Sequence, residues 1–162
     1  MGKVLALQLV VRHRKPLQPA DSVKAIVAHG LEGDVHSKRV STKRQVHVLD
    51  IRVLESVGLK PGDLRDQITV DFPDLTHLPE GKLLAIGEAV FELTMPCPVC
   101  DHVADLAGHP DPDGLIQSLQ GKSGMLARVV HTTREGHIKV GDSVSIYTGD
   151  TSDFAIGSST VP

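Results

Sequence analysis

Glycine, proline and aspartate interrupt this chain so often that its apolar runs can build only short strands and short helices. The sequence holds 15 Gly and 10 Pro. Between these breaks lie runs of roughly four to eight residues rich in Val, Leu and Ile, the pattern of strands bounded by turns. Residues 4–11 are nearly continuously apolar, broken by Gln8, and suit a barrel strand or one buried on both faces. Residues 12–20 are basic, carry two prolines and read as a loop. Residues 21–29 alternate weakly through Val23, Ala25 and Val27, and residues 45–49 set Val46 and Val48 against Gln45 and His47. Further strands are expected at 67–70, 82–86, 89–93, 125–131, around Ile138 and Val140, and at 144–147. Helical spacing follows Asp50, a good N-cap, through Ile51, Val53, Leu54 and Val57 to Gly58. Residues 101–107 and 115–119 suit two more short helices, the latter capped by Asp113 or Gly114. Residues 72–81 read as irregular. Eight to ten short strands with two or three short helices give a mostly β (α+β) fold, a β-barrel with a few helices.

At 162 residues and 17.3 kDa the chain is most simply one domain, expected over residues 1–148. A chain of that length removes about 68–70% of its unfolded surface from water. With three Phe, one Tyr and no Trp, the core has to be aliphatic. A net charge of −3 gives no bulk attraction to nucleic acid, and so few aromatics make no platform for stacking bases. No apolar run approaches the roughly 18 residues that span a bilayer. The first residues read as a strand rather than a signal peptide, since no Ala-x-Ala-like site follows them. Two cysteines three positions apart do not resemble a secreted disulfide framework, so a cytoplasmic location is expected. Residues 149–162, rich in Ser, Thr and Gly, are expected to form a flexible tail.

Chemistry concentrates in Thr94-Met-Pro-Cys-Pro-Val-Cys-Asp-His102, directly after a strand-like run. It carries the only cysteines, Cys97 and Cys100, in a loop stiffened by Pro96 and Pro98. By spacing alone the two thiols are equivalent. A lone C-x-x-C is compatible with two inert buried side chains, with zinc shared with His102 or His109, or with a redox pair, although the last calls for a βαβ context. A second region, Gly30-Leu-Glu-Gly-Asp-Val-His36 followed by Lys38, Arg39, Lys43 and Arg44, has the glycines and cations of an anion-binding loop, but not P-loop spacing. A solvated basic loop is the competing reading. Gly121-Lys-Ser-Gly124 with Arg128 is a weaker example of the same kind. The nine histidines, among them His29, His36, His47 and His102, fall into no Ser-His-Asp order and no H-E-x-x-H motif.

Taken in order, four segments resemble the MOSC domain, the family named for the C-terminal domain of molybdenum cofactor sulfurases. They are the Gly30–His36 loop, Pro61-Gly-Asp-Leu-Arg-Asp-Gln-Ile-Thr69, Ile86-Gly-Glu-Ala-Val-Phe-Glu-Leu-Thr-Met-Pro-Cys-Pro-Val-Cys100, and Gly124-Met-Leu-Ala-Arg-Val-Val130 with Gly136-His-Ile-Lys-Val-Gly-Asp142. The resemblance implies a stand-alone MOSC-type barrel that binds a molybdenum cofactor of the molybdopterin type. It implies Cys100 as the reactive residue and molybdenum ligand, because Asp101-His-Val103 follows it as a short helix follows the family cysteine. It implies Gly33, Asp34, His36, Lys38, Arg39, Lys43, Arg44, Gln67 and Arg128 as cofactor-binding residues. The chain departs from the family pattern at Val99, where a proline is usual, and at Asp66-Gln67, where the family has Glu-Asn. The implied activity is reduction of N-hydroxylated compounds with a separate electron donor. The alternative is a carrier that holds pterin cofactor, or persulfide sulfur from a donor protein, on Cys100. Nucleic acid and membrane partners are not expected.

Overall fold

The computed structural model describes residues 1–38, 43–99 and 101–155. Its strands are β1 (Gly2–Leu9), β2 (Gln18–Ala20), β3 (Ser22–Ile26), β4 (Gly30–Leu31), β5 (Val46–Asp50), β6 (Ile68–Asp71), β7 (Leu83–Ile86), β8 (Ala89–Pro96), β9 (Met125–Thr132), β10 (His137–Lys139) and β11 (Ser143–Ile146). The α-helices are α1 (Ile51–Ser56), α2 (Asp101–Ala107) and α3 (Pro112–Leu119), with 3₁₀ turns at Val35–Lys38 and Pro73–His77.

Seven strands close into a barrel in the order β11-β7-β8-β9-β5-β6-β1, and β1 pairs back onto β11 through Gly2 and Val144. β2 hangs on the outer edge of β1, while β10, β3 and β4 make a small separate sheet. Every pairing is antiparallel except β5 with β6. A parallel neighbour needs a crossover, and α1 with the segment after it supplies one. Asp50 caps that helix by accepting from the Arg52 amide, as expected from sequence, and its other oxygen accepts from the Phe72 amide.

Two apolar clusters follow from the period-2 alternation of the strands. Val46 and Val48 of β5 point into the barrel with Val4, Ile68, Val70, Phe91, Leu93 and Val129. Leu49 points the other way and packs with Leu54, Leu64, Ala104, Leu115 and Leu119 beneath the helices. β5 is therefore buried on both faces. Its outward side chains, His47 included, sit between the barrel wall and a helical layer.

Four expectations differ in detail. The basic 12–20 segment ends in the short strand β2, paired with Leu7 to Leu9. The cap of α3 is Asp111, which accepts from the Gly114 amide, and Pro112 takes the first turn, where its missing N–H is harmless. β8 runs on past Leu93 through a register shift to Pro96, so the strand itself delivers the cysteine loop. Residues 149–155, expected in the flexible tail, lie on β9: Phe154 stacks on His131 at 4.4 Å and the Ala155 amide donates to the Val130 carbonyl. The remainder of that segment, 156–162, is outside the described residues. Among the described residues no helix is long and apolar enough to cross a membrane.

Phe91 is fully buried at the centre of the barrel. Phe91→Ala is expected to destabilise the protein by about 3–5 kcal/mol, read as a lower urea midpoint with an unchanged slope in far-UV circular dichroism.

Candidate functional site

The glycine loop ends in a buried carboxylate. Gly33 turns the chain at φ +89°, and Asp34 follows with its side chain wholly shielded from water. Asp34 Oδ2 accepts from the Val10 amide at 2.8 Å and from Gln67 Nε2 at 2.9 Å. Its Oδ1 accepts from the His36 amide at 2.9 Å and from His36 Nδ1 at 2.7 Å. Burial acts to raise the Asp34 pKa, but the His36 and Gln67 side chains and the two amides outweigh it and hold the carboxyl below its usual value. Since carboxylates only accept, His36 Nδ1 carries the hydrogen and Nε2 is left to carry a second proton.

Gln67 passes the organisation on. Its Oε1 accepts from the His47 amide at 2.7 Å, joining the glycine loop to β5. His47, 4% exposed, directs Nε2 at the Ser123 carbonyl at 2.6 Å. Ser123 also donates its hydroxyl to the Cys97 carbonyl, and the Cys97 amide donates to the Gly124 carbonyl at 2.9 Å. Gly124 has φ +85°, and a Cβ there would lie 2.4 Å from the Val48 carbonyl and 3.0 Å from His47 Nε2. Glycine is thus what lets residues 121–124 lie flat on β5 and hold the cysteine loop.

These elements enclose a cavity of about 370 Å³, within the usual range for small-molecule sites. Cys97, His47, His36, Arg14, Arg44 and Arg65 line it, with His13, Gln67 and an apolar side of Leu64, Val103 and Leu126. Arg14 and Arg65 both adopt left-handed backbone angles, φ 63° and 66°. The Arg65 guanidinium donates to the Lys15 carbonyl, which fixes it at the rim. Burial acts to lower the pKa of His47. The Cys97 sulfur, by its charge and as a hydrogen-bond partner, then Asp66 and the Ser123 carbonyl, overcome that and raise it to about 9.

Of the residues expected to bind cofactor, His36, Arg44 and Gln67 line this cavity. Asp34 stands behind His36, and Gly33 shapes the turn. Lys38 and Lys43 are exposed and are not among the lining residues. Arg128, two positions from Leu126 on β9, bonds Glu92 through Nε at 2.6 Å and does not line the cavity. Arg39 and Cys100 lie outside the described residues. Sequence reasoning passes over His47, Arg14 and Arg65. His47 alternates with Val46 and Val48, so the sequence assigns it to a polar face and carries no signal that this face is buried. Among the described residues no three His, Cys, Asp or Glu side chains are grouped to hold a metal ion.

Because the folded Asp34 pKa lies below its unfolded value, the stability it contributes is present above about pH 4 and lost as pH falls through the folded value. Asp34→Asn is expected to lower stability at neutral pH by about 2 kcal/mol and to flatten the acid limb of the stability profile, measured by urea denaturation from pH 3 to 7. His47 is expected to titrate near 9 in nuclear magnetic resonance spectra. In Cys97→Ser the midpoint should fall, because burial then meets less opposition; an unmoved midpoint would remove Cys97 as its partner.

Comparison with known proteins follows the same outline. The YuaD protein from Bacillus subtilis superposes with a TM-score of 0.76 at 18% identity, over 93% of this chain and 98% of that one. YiiM from Geobacillus stearothermophilus gives 0.63 at 16%, over 91% and 76%, and YiiM from Escherichia coli gives 0.64 at 15%, over 94% and 73%. At these identities the likeness is one of fold. A search of curated proteins gave no significant match. The model of the MOSC domain matches residues 34–145, which run from the buried aspartate to the closing strand of the barrel, and the chain belongs to that family.

Proposed function

We propose that this protein binds a molybdenum cofactor in the cavity beside β5 and uses it to reduce N-hydroxylated compounds. The observation that carries the reading is the composition of one cavity wall: a thiol, three histidines and three arginines around a space of about 370 Å³. The residues fit the group. A pterin cofactor ends in a dianionic phosphate, which arginine forks hold by paired hydrogen bonds, and its metal takes soft sulfur ligands. Arg14, Arg44 and Arg65 would hold the phosphate, with Lys38, Arg39 and Lys43 adding positive charge from the preceding loop. Cys100 is the thiol assigned to the metal by family resemblance. Gln67 and Asp34 would act by fixing His36 and β5.

The cofactor would supply two-electron oxygen-transfer chemistry. The protein has to supply protons, since R–NH–OH plus two electrons and two protons gives R–NH2 and water as the N–O bond breaks. His36 is suited to deliver them, because Asp34 holds Nδ1 and the ring faces the cavity. The apolar side, Leu64, Val103 and Leu126, would receive the body of the substrate. Electrons would come from a separate donor protein.

Protein made in a molybdenum-replete host is expected to carry molybdenum and pterin in near-equal amounts by elemental analysis and fluorescence of the oxidised pterin. Cys100→Ser is expected to lose most of the metal. Absence of both metal and pterin from the wild-type protein would overturn the reading.

A further inference from the structure

A second cavity, of about 410 Å³, adjoins the first, and Arg14 and Arg65 line both. Gln8 of β1 lines it too and is only 4% exposed. Its Nε2 donates to the Asp66 carbonyl at 2.7 Å and to Thr69 Oγ1 at 3.2 Å. Thr69 gives its own hydroxyl hydrogen to Asp66 Oδ2, so it can only accept from Gln8, and the amide has one orientation. Both Nε2 hydrogens are then in use, and Oε1 has no partner among the described residues. Among those residues no sealed side-chain oxygen or nitrogen lacks a partner, so Oε1 opens onto the cavity. The other walls limit what can meet it. Pro16, Pro19 and Pro61 offer C–H surface and no N–H donor, beside Leu106 of α2. The Arg65 guanidinium donates to the Lys15 and Arg12 carbonyls, which leaves further hydrogens of its fork for an anion. Asp63 Oδ2 accepts from the Lys60 amide at 2.8 Å, which leaves Oδ1 for a hydroxyl. A neutral, buried acceptor calls for an uncharged N–H donor, walls without donors call for a flat ring, and arginine forks call for a phosphate.

We propose that the second cavity binds a nucleoside 5′-monophosphate: phosphate on Arg14 and Arg65, a ribose hydroxyl on Asp63, and the exocyclic amino group of the base on Gln8 Oε1. The same chemistry has two sources. One is a free nucleotide; the other is the nucleotide half of a pterin dinucleotide whose pterin lies in the first cavity, with the shared arginines between the halves. The site does not rest on the cofactor reading, because the residues of this chain alone build it.

The test is calorimetric titration of the full-length chain, made without added molybdate, with AMP, GMP and CMP. The tightest of the three is expected to bind about tenfold better than its analogue lacking the exocyclic amino group, since that analogue leaves the buried acceptor unmet. It is also expected to bind about tenfold better than its nucleoside, a gap that should close in Arg14→Gln/Arg65→Gln. Gln8→Leu is expected to abolish the preference for the amino group. The ligand comparisons on wild-type protein need no variant, so a folding defect in any substitution leaves the proposal open to test. Acid hydrolysis and mass spectrometry of protein from a molybdenum-replete host separate the sources. Nucleotide released in near-equal amount with pterin supports the dinucleotide, and pterin released without nucleotide supports the free ligand. Missing molybdenum and pterin would overturn the cofactor reading and leave the titrations standing. No binding by any of the three nucleotides, or no preference for the amino group or for the phosphate, would overturn the proposal.

Discussion

The buried carboxylate of Asp34 is the interaction on which the rest of the site depends. An unpaired charge at full burial would be prohibitive, so its four hydrogen bonds are a requirement and not an ornament. The donors come from three places: the end of β1 through Val10, the 3₁₀ turn through His36, and the approach to β6 through Gln67. Satisfying one anion therefore ties the glycine loop to the paired strands β1 and β6. Gln67 extends the link to His47, and Ser123 extends it to Cys97. The polar groups at the back of the cavity are thus connected to the same anchor, and their positions are set together.

The barrel explains why the cavity is where it is. A seven-stranded barrel has little room inside, and Phe91, Ile68 and their neighbours fill it. Chemistry has to be built outside, against the wall. β5 is suited to this because its outer face is roofed by the helices at Leu49, while the buried His47 beside it lines the cavity. The directly opposed residue on β9 is Leu126, so the polar ring has an apolar neighbour across the sheet. A single strand thus carries both the boundary of the helical core and the floor of the cavity.

Much of this is legible in the chain itself. Strand and helix positions follow from punctuation and alternation, and the Asp50 cap follows from one residue type before an apolar helical face. The family resemblance rests on four ordered segments, and the fold agrees with it. The site is legible only in part, because its assembly is tertiary. Lys38 and Lys43 look as suitable as Arg44 by type and proximity in sequence, but only Arg44 reaches the cavity wall. Arg128 has the side chain of an anion ligand, but the register of β8 and β9 sets it opposite Glu92. Nothing in the local sequence of Arg65 or Arg14 marks the left-handed backbone that places them at the rim. The two cysteines are equal by spacing, and the hold of Ser123 and Gly124 on Cys97 arises from a loop more than twenty residues away.

The seam between β1 and β11 bears on how the molecule reaches this state. Gly2 pairs with Val144, so the barrel is sealed by strands at opposite ends of the described chain. Another seam of the barrel, β5 with β6, is parallel and needs its crossover. Contacts so distant in sequence require loop entropy to be lost before they return any stabilisation. Such a topology places folding in the millisecond-to-second range typical of non-local β proteins, about three or more orders of magnitude slower than a helical bundle. During that interval the edges of β1 and β11 are unpaired templates for other strands. Lys3 on the β1 side and the polar Ser143 and Ser145 along β11 are the features that make those edges less sticky while they wait for each other.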